Sequence, residues 1–308
     1  MKKISDKLSR ALSSFLLLLV CGIAFGACST PPPDPNRGQR YQLRGKIVSF
    51  NKAQQQVVIE HETIPDFMDA MTMPFTLRED SAYDVMHAGD SIQATLVVDA
   101  ERTRLENPVI TQAIPAADGS APKATPNEGL AEPEIGASVP ALSLVNQDGK
   151  RLNLQQYRGR ALVLTFIYTR CPLPDYCTLM SNNFAAITRE LKASPELGAS
   201  AHLLSITLDP AHDTPKVLRS YGAAHTENYQ TENFAQWEFA TGTPEEIQRA
   251  ANFFGMSYKQ DGDQITHALR TAVIASDGKL YKMYRGNDWK PADVLRDLRD
   301  LQIQNSDK

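Results

Sequence analysis

The chain has 308 residues, 42% of them apolar and 22% charged, enough for about two domains that each bury a core. That balance excludes wholesale disorder, a collagen, a membrane array and a disulfide-stapled mini-protein. The net charge is -4; the N-terminal segment carries Lys2, Lys3, Lys7 and Arg10 against Asp6, and without that surplus the chain stands near -7, which excludes a nucleic-acid partner gripped through its phosphates.

Residues 1–28 read as a secretory signal: a basic start, then an apolar run from Phe15 to Val20 that continues patchily to Ala27. The run is too short for a bilayer span, which needs about 20 apolar residues. It ends in Phe25-Gly26-Ala27-Cys28, small residues before a cysteine, and this resembles the lipobox of bacterial lipoproteins. The resemblance implies cleavage before Cys28, its lipidation, and a lipid anchor on the periplasmic face of a bacterial membrane; the plainer alternative is a signal peptide cut nearby. Residues 29–40 form a proline-rich tether, with Pro31, Pro32, Pro33 and Pro35 favouring an extended, solvated spacer. Once Cys21 leaves with the signal and Cys28 takes the lipid, only Cys171 and Cys177 remain.

Residues 41–112 read as a small all-β domain. Val57, Val58 and Ile59, and the alternating Ile92, Ala94, Leu96 and Val98, follow the strand period, with bends expected at Gly45 and at His87 to Asp90. Closure into a barrel is expected because it leaves no open edge. A flexible linker follows over residues 113–134, where Pro115, Pro122, Pro126 and Pro133 lie among small and polar residues.

Residues 135–305 alternate strands and helices. The unbroken apolar run from Ala161 to Tyr168 predicts a strand buried on both faces. Met180, Phe184, Ile187 and Leu191 then share one helical face. A strand from Leu203 to Leu208, a helix at Pro215, a helix capped by Thr243 ahead of Pro244, a hairpin about Asp277-Gly278 and a last helix from Pro291 complete an α/β, thioredoxin-like order.

Cys171 ends the buried strand and Cys177 starts the helix, where unpaired amides favour the thiolate, both nucleophile and soft metal ligand. In a continuous helix, residues six apart lie about 9 Å apart by rise alone; Pro172 and Pro174 instead predict a loop in which the sulfurs converge. A structural disulfide, a thiol-disulfide oxidoreductase pair and a metal pair all remain open, while a peroxidase is disfavoured because Leu164 and Tyr168 stand where the upstream Pro and Thr, respectively, belong. Two thiolates with His267, from Gln264-Ile265-Thr266-His267-Ala268, make a compact site suited to Cu(I).

With its cysteine pair, the segment from Asp209 to Pro215 and a histidine before the late hairpin, the second domain resembles the Sco/SenC family of copper chaperones. That resemblance implies copper ligands at Cys171, Cys177 and His267, although five residues separate these cysteines where the family usually has three. Asp209 and Asp213 read mainly as turn and cap residues, with a supporting role at the site as the alternative.

Met68, Met71 and Met73 cluster after His61, and Met71 and Met73 share a strand face, so thioethers and an imidazole can meet and select Cu(I). Methionine as core filler is the plain alternative. His61 to Pro65, the methionines and Pro74-Phe75 resemble the CusF-like periplasmic copper-binding domain, which implies an OB-like barrel with ligands at His61, Met71 and Met73. Met68 stands where that family has a tryptophan over the metal.

The combined expectation is a lipid-anchored copper chaperone rather than an enzyme. Its client would be a cuproprotein, by family analogy the copper-A centre of a respiratory oxidase. A tethered thiol-disulfide reductase and a passive copper-tolerance binder are the rivals.

Overall fold

The computed structural model describes residues 38–99, 103–113, 130–226, 233–261 and 264–306. The signal segment with Cys21 and Cys28, most of the tether and most of the linker lie outside the described residues.

Five strands build the first domain: β1 (Gln39–Asn51), β2 (Gln56–His61), β3 (Met71–Leu77), β4 (Ser91–Val98) and β5 (Thr103–Thr111). They pair in the order β1-β2-β3-β5-β4, and β4 returns to β1. The parallel seam between β3 and β5 is narrow, pairing Thr76 with Arg104 and Leu77 with Leu105. The earlier part of β3, from Met71 to Phe75, has no β5 partner in that register. Val57 and Ile59, the β3 residues Met71, Met73, Phe75 and Leu77, and Ile92, Ala94 and Leu96 are buried together, as the period-2 pattern requires.

Gly45 corrects the expectation of a bend. It sits inside β1, paired with His61 on one side and Ile92 on the other. A Cβ there would lie 2.4 Å from the Glu60 carbonyl oxygen and 2.8 Å from His61 Cα, so glycine is needed for close strand approach.

The second domain centres on a seven-stranded sheet of β6 (Ser143–Asn146), β7 (Arg151–Asn153), β8 (Ala161–Ile167), β9 (Ala201–Thr207), β10 (Trp237–Thr241), β13 (Arg270–Ile274) and β14 (Leu280–Arg285). Its order is β14-β13-β8-β9-β10-β6-β7, with β8, β9 and β10 parallel and β13 antiparallel to β8. This is a thioredoxin-like arrangement. Every residue of β8 and β9 is buried, as expected of strands covered on both faces.

Beside the short α1 (Asp80–Tyr83) of the first domain, the helices are α2 (Leu179–Ala193), α3 (Pro195–Ser200), α4 (Pro215–Thr226), α5 (Pro244–Phe253) and α6 (Pro291–Ser306). Met180, Phe184, Ile187 and Leu191 bury the inner face of α2, and Thr243 caps α5 by accepting from the Glu246 amide at 3.3 Å. A separate hairpin of β11 (Tyr258–Asp261) and β12 (Gln264–His267) pairs Tyr258 with His267. At the end of the expected linker, Glu132 accepts from Arg270 and Arg285, each at 2.9 Å. No helix among the described residues is long and apolar enough to cross a membrane.

Candidate metal centres

β8 delivers the chain to Cys171, and one widened helical turn, Pro174–Thr178, carries Cys177 directly into α2. Within that turn Tyr176 departs from helical dihedrals at φ -115° and ψ -111°. Two prolines and this irregular turn fold up the five intervening residues, so that the two thiols influence each other's ionisation and Cys177 comes to face His267. Both cysteines are free and buried.

His267 closes the site at the end of β12. Its Nδ1–H donates to the Ala268 carbonyl at 2.9 Å, which leaves Nε2 as an acceptor 3.9 Å from Cys177 Sγ. Burial holds the imidazole below its ordinary pKa, so it presents a lone pair at neutral pH. The Tyr168 ring stands edge-on to it, with centroids 5.9 Å apart. Tyr168, Cys171, Leu173, Tyr176, Ile265 and His267 line a cavity of about 20 Å³.

The two sulfurs are unequal. The Cys171 thiol is brought down to about 7, first by its hydrogen bond with Cys177 and against the opposing effect of burial. Burial pushes Cys177 the other way. Among the described residues no three His, Cys, Asp or Glu side chains are gathered tightly enough to hold an ion as they stand. With metal–sulfur and metal–nitrogen bonds of about 2.3 and 2.0 Å, a shared tetrahedral ion needs S···N near 3.5 Å. The 3.9 Å between Cys177 and His267 therefore requires only a small closure.

Asp213, read from sequence as a cap or turn residue, does something else. It is buried and accepts from the Thr169 amide at 3.0 Å, from the Thr169 hydroxyl at 2.5 Å and from the Thr207 hydroxyl. The cap of α4 is Thr214, whose hydroxyl accepts from the Val217 amide at 3.4 Å. Asp213 therefore pins the strand end that precedes Cys171, and burial raises its pKa to about 6. Beside it, Asp209 pairs with Arg170 at 2.8 Å. Thr169, Arg170 and Thr207 are absent from the sequence reading; the signal available for two of them was polar threonines closing otherwise apolar strands.

In the first domain, His61 lies opposite Met71 on β2 and β3, and Ile59 lies opposite Met73. His61, Met68, Met71 and Met73 are all at most 3% exposed. His61 Nδ1–H donates to the Glu62 carbonyl at 2.7 Å, and its Nε2 is buried with no partner. Burial lowers this imidazole to about 4. Phe75 stands edge-on to it, 5.6 Å between centroids. A neutral nitrogen lone pair, unpartnered and buried on a residue opposite Met71, fits a soft univalent cation far better than a proton. Met86 is buried core, and His87 is exposed beside Asp90.

A β-rich domain with an imidazole–thioether cluster, joined to a thioredoxin-like domain with a dithiol–imidazole cluster, defines a class of protein with two soft-donor centres. Residues 133–302, more than half of the chain, match the SCO1/SenC family model, and residues 40–107 match that of the copper binding periplasmic protein CusF. The chain belongs to the SCO1/SenC family, with a CusF-type domain ahead of the family region. It is 30% identical over 170 residues to a SCO1 protein homolog of Bacillus subtilis, covering 54% of this chain and 83% of that protein. A putative copper-binding protein of Stutzerimonas stutzeri is 29% identical over 148 residues, 46% of this chain and 67% of that protein. Among solved structures, Arabidopsis thaliana ScoI with copper bound aligns with 55% of this chain and 99% of that one, at 25% identity and a TM-score of 0.46.

Proposed function

We propose that this protein is an exported copper chaperone with one Cu(I) site in each domain. In the first, an OB-like barrel in its strand order, His61 Nε2 and the thioethers of Met71 and Met73 take the ion, with Met68 as a further sulfur. In the second, the ligands are Cys171, Cys177 and His267. The observation that carries this reading is the 3.9 Å contact between Cys177 Sγ and an imidazole nitrogen whose other nitrogen is tied to Ala268. The ion moves from thioethers to thiolates, the more strongly binding donors. It leaves its first ligands neutral, and the Cys177 thiol proton goes to solvent as the thiolate binds. Family membership points to a cuproprotein client, the copper-A centre of a respiratory oxidase. A diacylated Cys28 would hold the molecule at the periplasmic face of a bacterial membrane.

One observation favours a second reading. Two free thiols, with Cys171 brought down to about 7, are also equipped to reduce a partner's disulfide. Anaerobic Cu(I) titration of the reduced protein, read with X-ray absorption, separates the two. Chaperone function requires about two equivalents, one with sulfur and nitrogen neighbours that is lost in Cys171→Ser. A single equivalent that survives this change favours the reductase.

A further inference from the structure

The stretch of β3 that β5 leaves unpaired is covered from elsewhere. Thr72 is 2% exposed, and its amide donates to the Thr169 carbonyl at 2.8 Å. Its neighbours pair with His61 and Ile59 across β2; along a strand successive amides point to opposite edges, so Thr72 addresses the open one. Two residues earlier the Ala70 carbonyl accepts from His212 Nε2 at 2.9 Å. Asp69 pairs with Lys216 at 3.5 Å, both side chains partly solvated.

Three residues within the four-residue stretch 69–72 thus meet three points of the second domain: the turn after β8, the segment ahead of α4, and the first turn of α4. Gly38–Lys308 clusters as one compact unit. Both sides of this contact belong to a metal centre. Thr72 lies between Met71 and Met73, while Thr169 precedes Cys171 by two residues and is held from behind by Asp213.

We infer that residues 69–72 are a docking segment, seated on Thr169, His212 and Lys216, that brings the methionine centre against the cysteine-bearing turn within one molecule. His212 is the positioning residue. It fixes the register by giving its Nε2 proton to the Ala70 carbonyl. The mode is strand addition in miniature, an edge amide satisfied by a carbonyl of the other domain. Two neutral hydrogen bonds and one solvated ion pair make a weak seat, so occupancy depends on both domains sharing a chain. The consequence for metal transfer rests on the copper reading above; the docking itself does not.

Amide hydrogen exchange on the metal-free mature chain, resolved at single residues, tests the docking. Thr72 is expected to be protected although it faces away from β2. His212→Ala should speed its exchange by at least about tenfold and leave Met73, which bonds within the sheet, unchanged. His212→Gln, which retains a donor near the position of Nε2, should restore much of the protection. An unprotected Thr72 in the parent chain, or one indifferent to His212→Ala, overturns the inference. Should His212→Ala unfold the second domain, seen as lost protection in β8 and β9, the exposed Lys216→Glu decides instead: repulsion from Asp69 must speed Thr72, and no change overturns docking. Protection of Thr72 in a protein that binds no Cu(I) would leave docking standing and sink only the copper reading.

Discussion

His61 and His267 lie in different folds yet are prepared in the same way. Each spends its Nδ1 proton on the carbonyl of the following residue, at 2.7 and 2.9 Å, which fixes the tautomer and the ring plane. Each is then kept neutral by burial. A nitrogen prepared like this gives up its only productive interaction when removed. His267→Ala should therefore weaken the second-domain Cu(I) site by about a hundredfold or more in chelator competition and delete the nitrogen neighbour from the X-ray absorption spectrum. An unchanged spectrum would show that the imidazole is not a ligand. Asp213 supports the same site without touching it. Asp213→Ala strands the Thr169 amide and two hydroxyls in a buried place, and the expected loss is on the order of 3 kcal/mol in urea unfolding of the second domain. At the far end of the sheet, burial tends to raise the Glu238 carboxyl. Hydrogen bonds with His202 at 2.9 Å, Tyr157 at 2.6 Å and Asn146 at 2.8 Å outweigh that and hold it at about 2. Because this folded value lies below the unfolded 4.5, the stabilisation is present above pH 4.5 and disappears as pH falls towards 2. It amounts to at most about 3 kcal/mol. Glu238→Gln should flatten the acid limb of the stability curve, and a variant with the parent's limb would assign that slope to another group.

At the scale of elements, a strand that carries none of the candidate donors limits the first candidate centre. Gly45 of β1 lies against His61, and a methyl group there would collide with the Glu60 carbonyl and with His61 Cα. Gly45→Ala should push β2 outward, lower the Cu(I) affinity of the first centre and leave the second untouched, as separate titrations of the two sites would show. Equal affinity in the variant would mean that β1 can yield. The same residue shows where sequence reading stops. Glycine signals backbone freedom or close approach with one letter, and only the β1–β2 register distinguishes them. Long apolar or strongly periodic segments were legible: β8 from its unbroken run, α2 from its apolar face, α5 from Thr243-Pro244. Strands β6, β7, β10, β11 and β12, three to five residues each, are too short to display a period. The candidate donors were legible because Cys, His and Met carry chemistry in their identity. For Asp213 the main reading as a cap or turn residue gave way to the alternative of a supporting one, because its partner Thr169 lies 44 positions away and an Asp beside Thr-Pro looks local. The turn around Tyr176 escaped because a widened helical turn is set by what it must bring together, here Cys177 and His267, and not by its own propensities.

Across the whole molecule the two candidate centres belong to different sheets, the five-stranded one and the seven-stranded one, and the hydrogen-bonded seat between the domains is small. Binding is therefore expected to report mainly on the domain that holds the ion. A ligand present at a hundred times its dissociation constant stabilises the state that binds it by about 2.7 kcal/mol. Anaerobic calorimetry of the mature chain should show two unfolding transitions, both displaced upward by excess Cu(I). With Met71→Leu and Met73→Leu together, which keep the volume of the core close to its original value, the first-domain transition should lose its displacement and the second-domain transition keep it. Cys171→Ser should do the reverse. If loading of either domain alone moved both transitions together, the domains would be melting as one body, and the seat formed by Thr72, Ala70 and Asp69 would be much stronger than its two hydrogen bonds and one solvated ion pair allow.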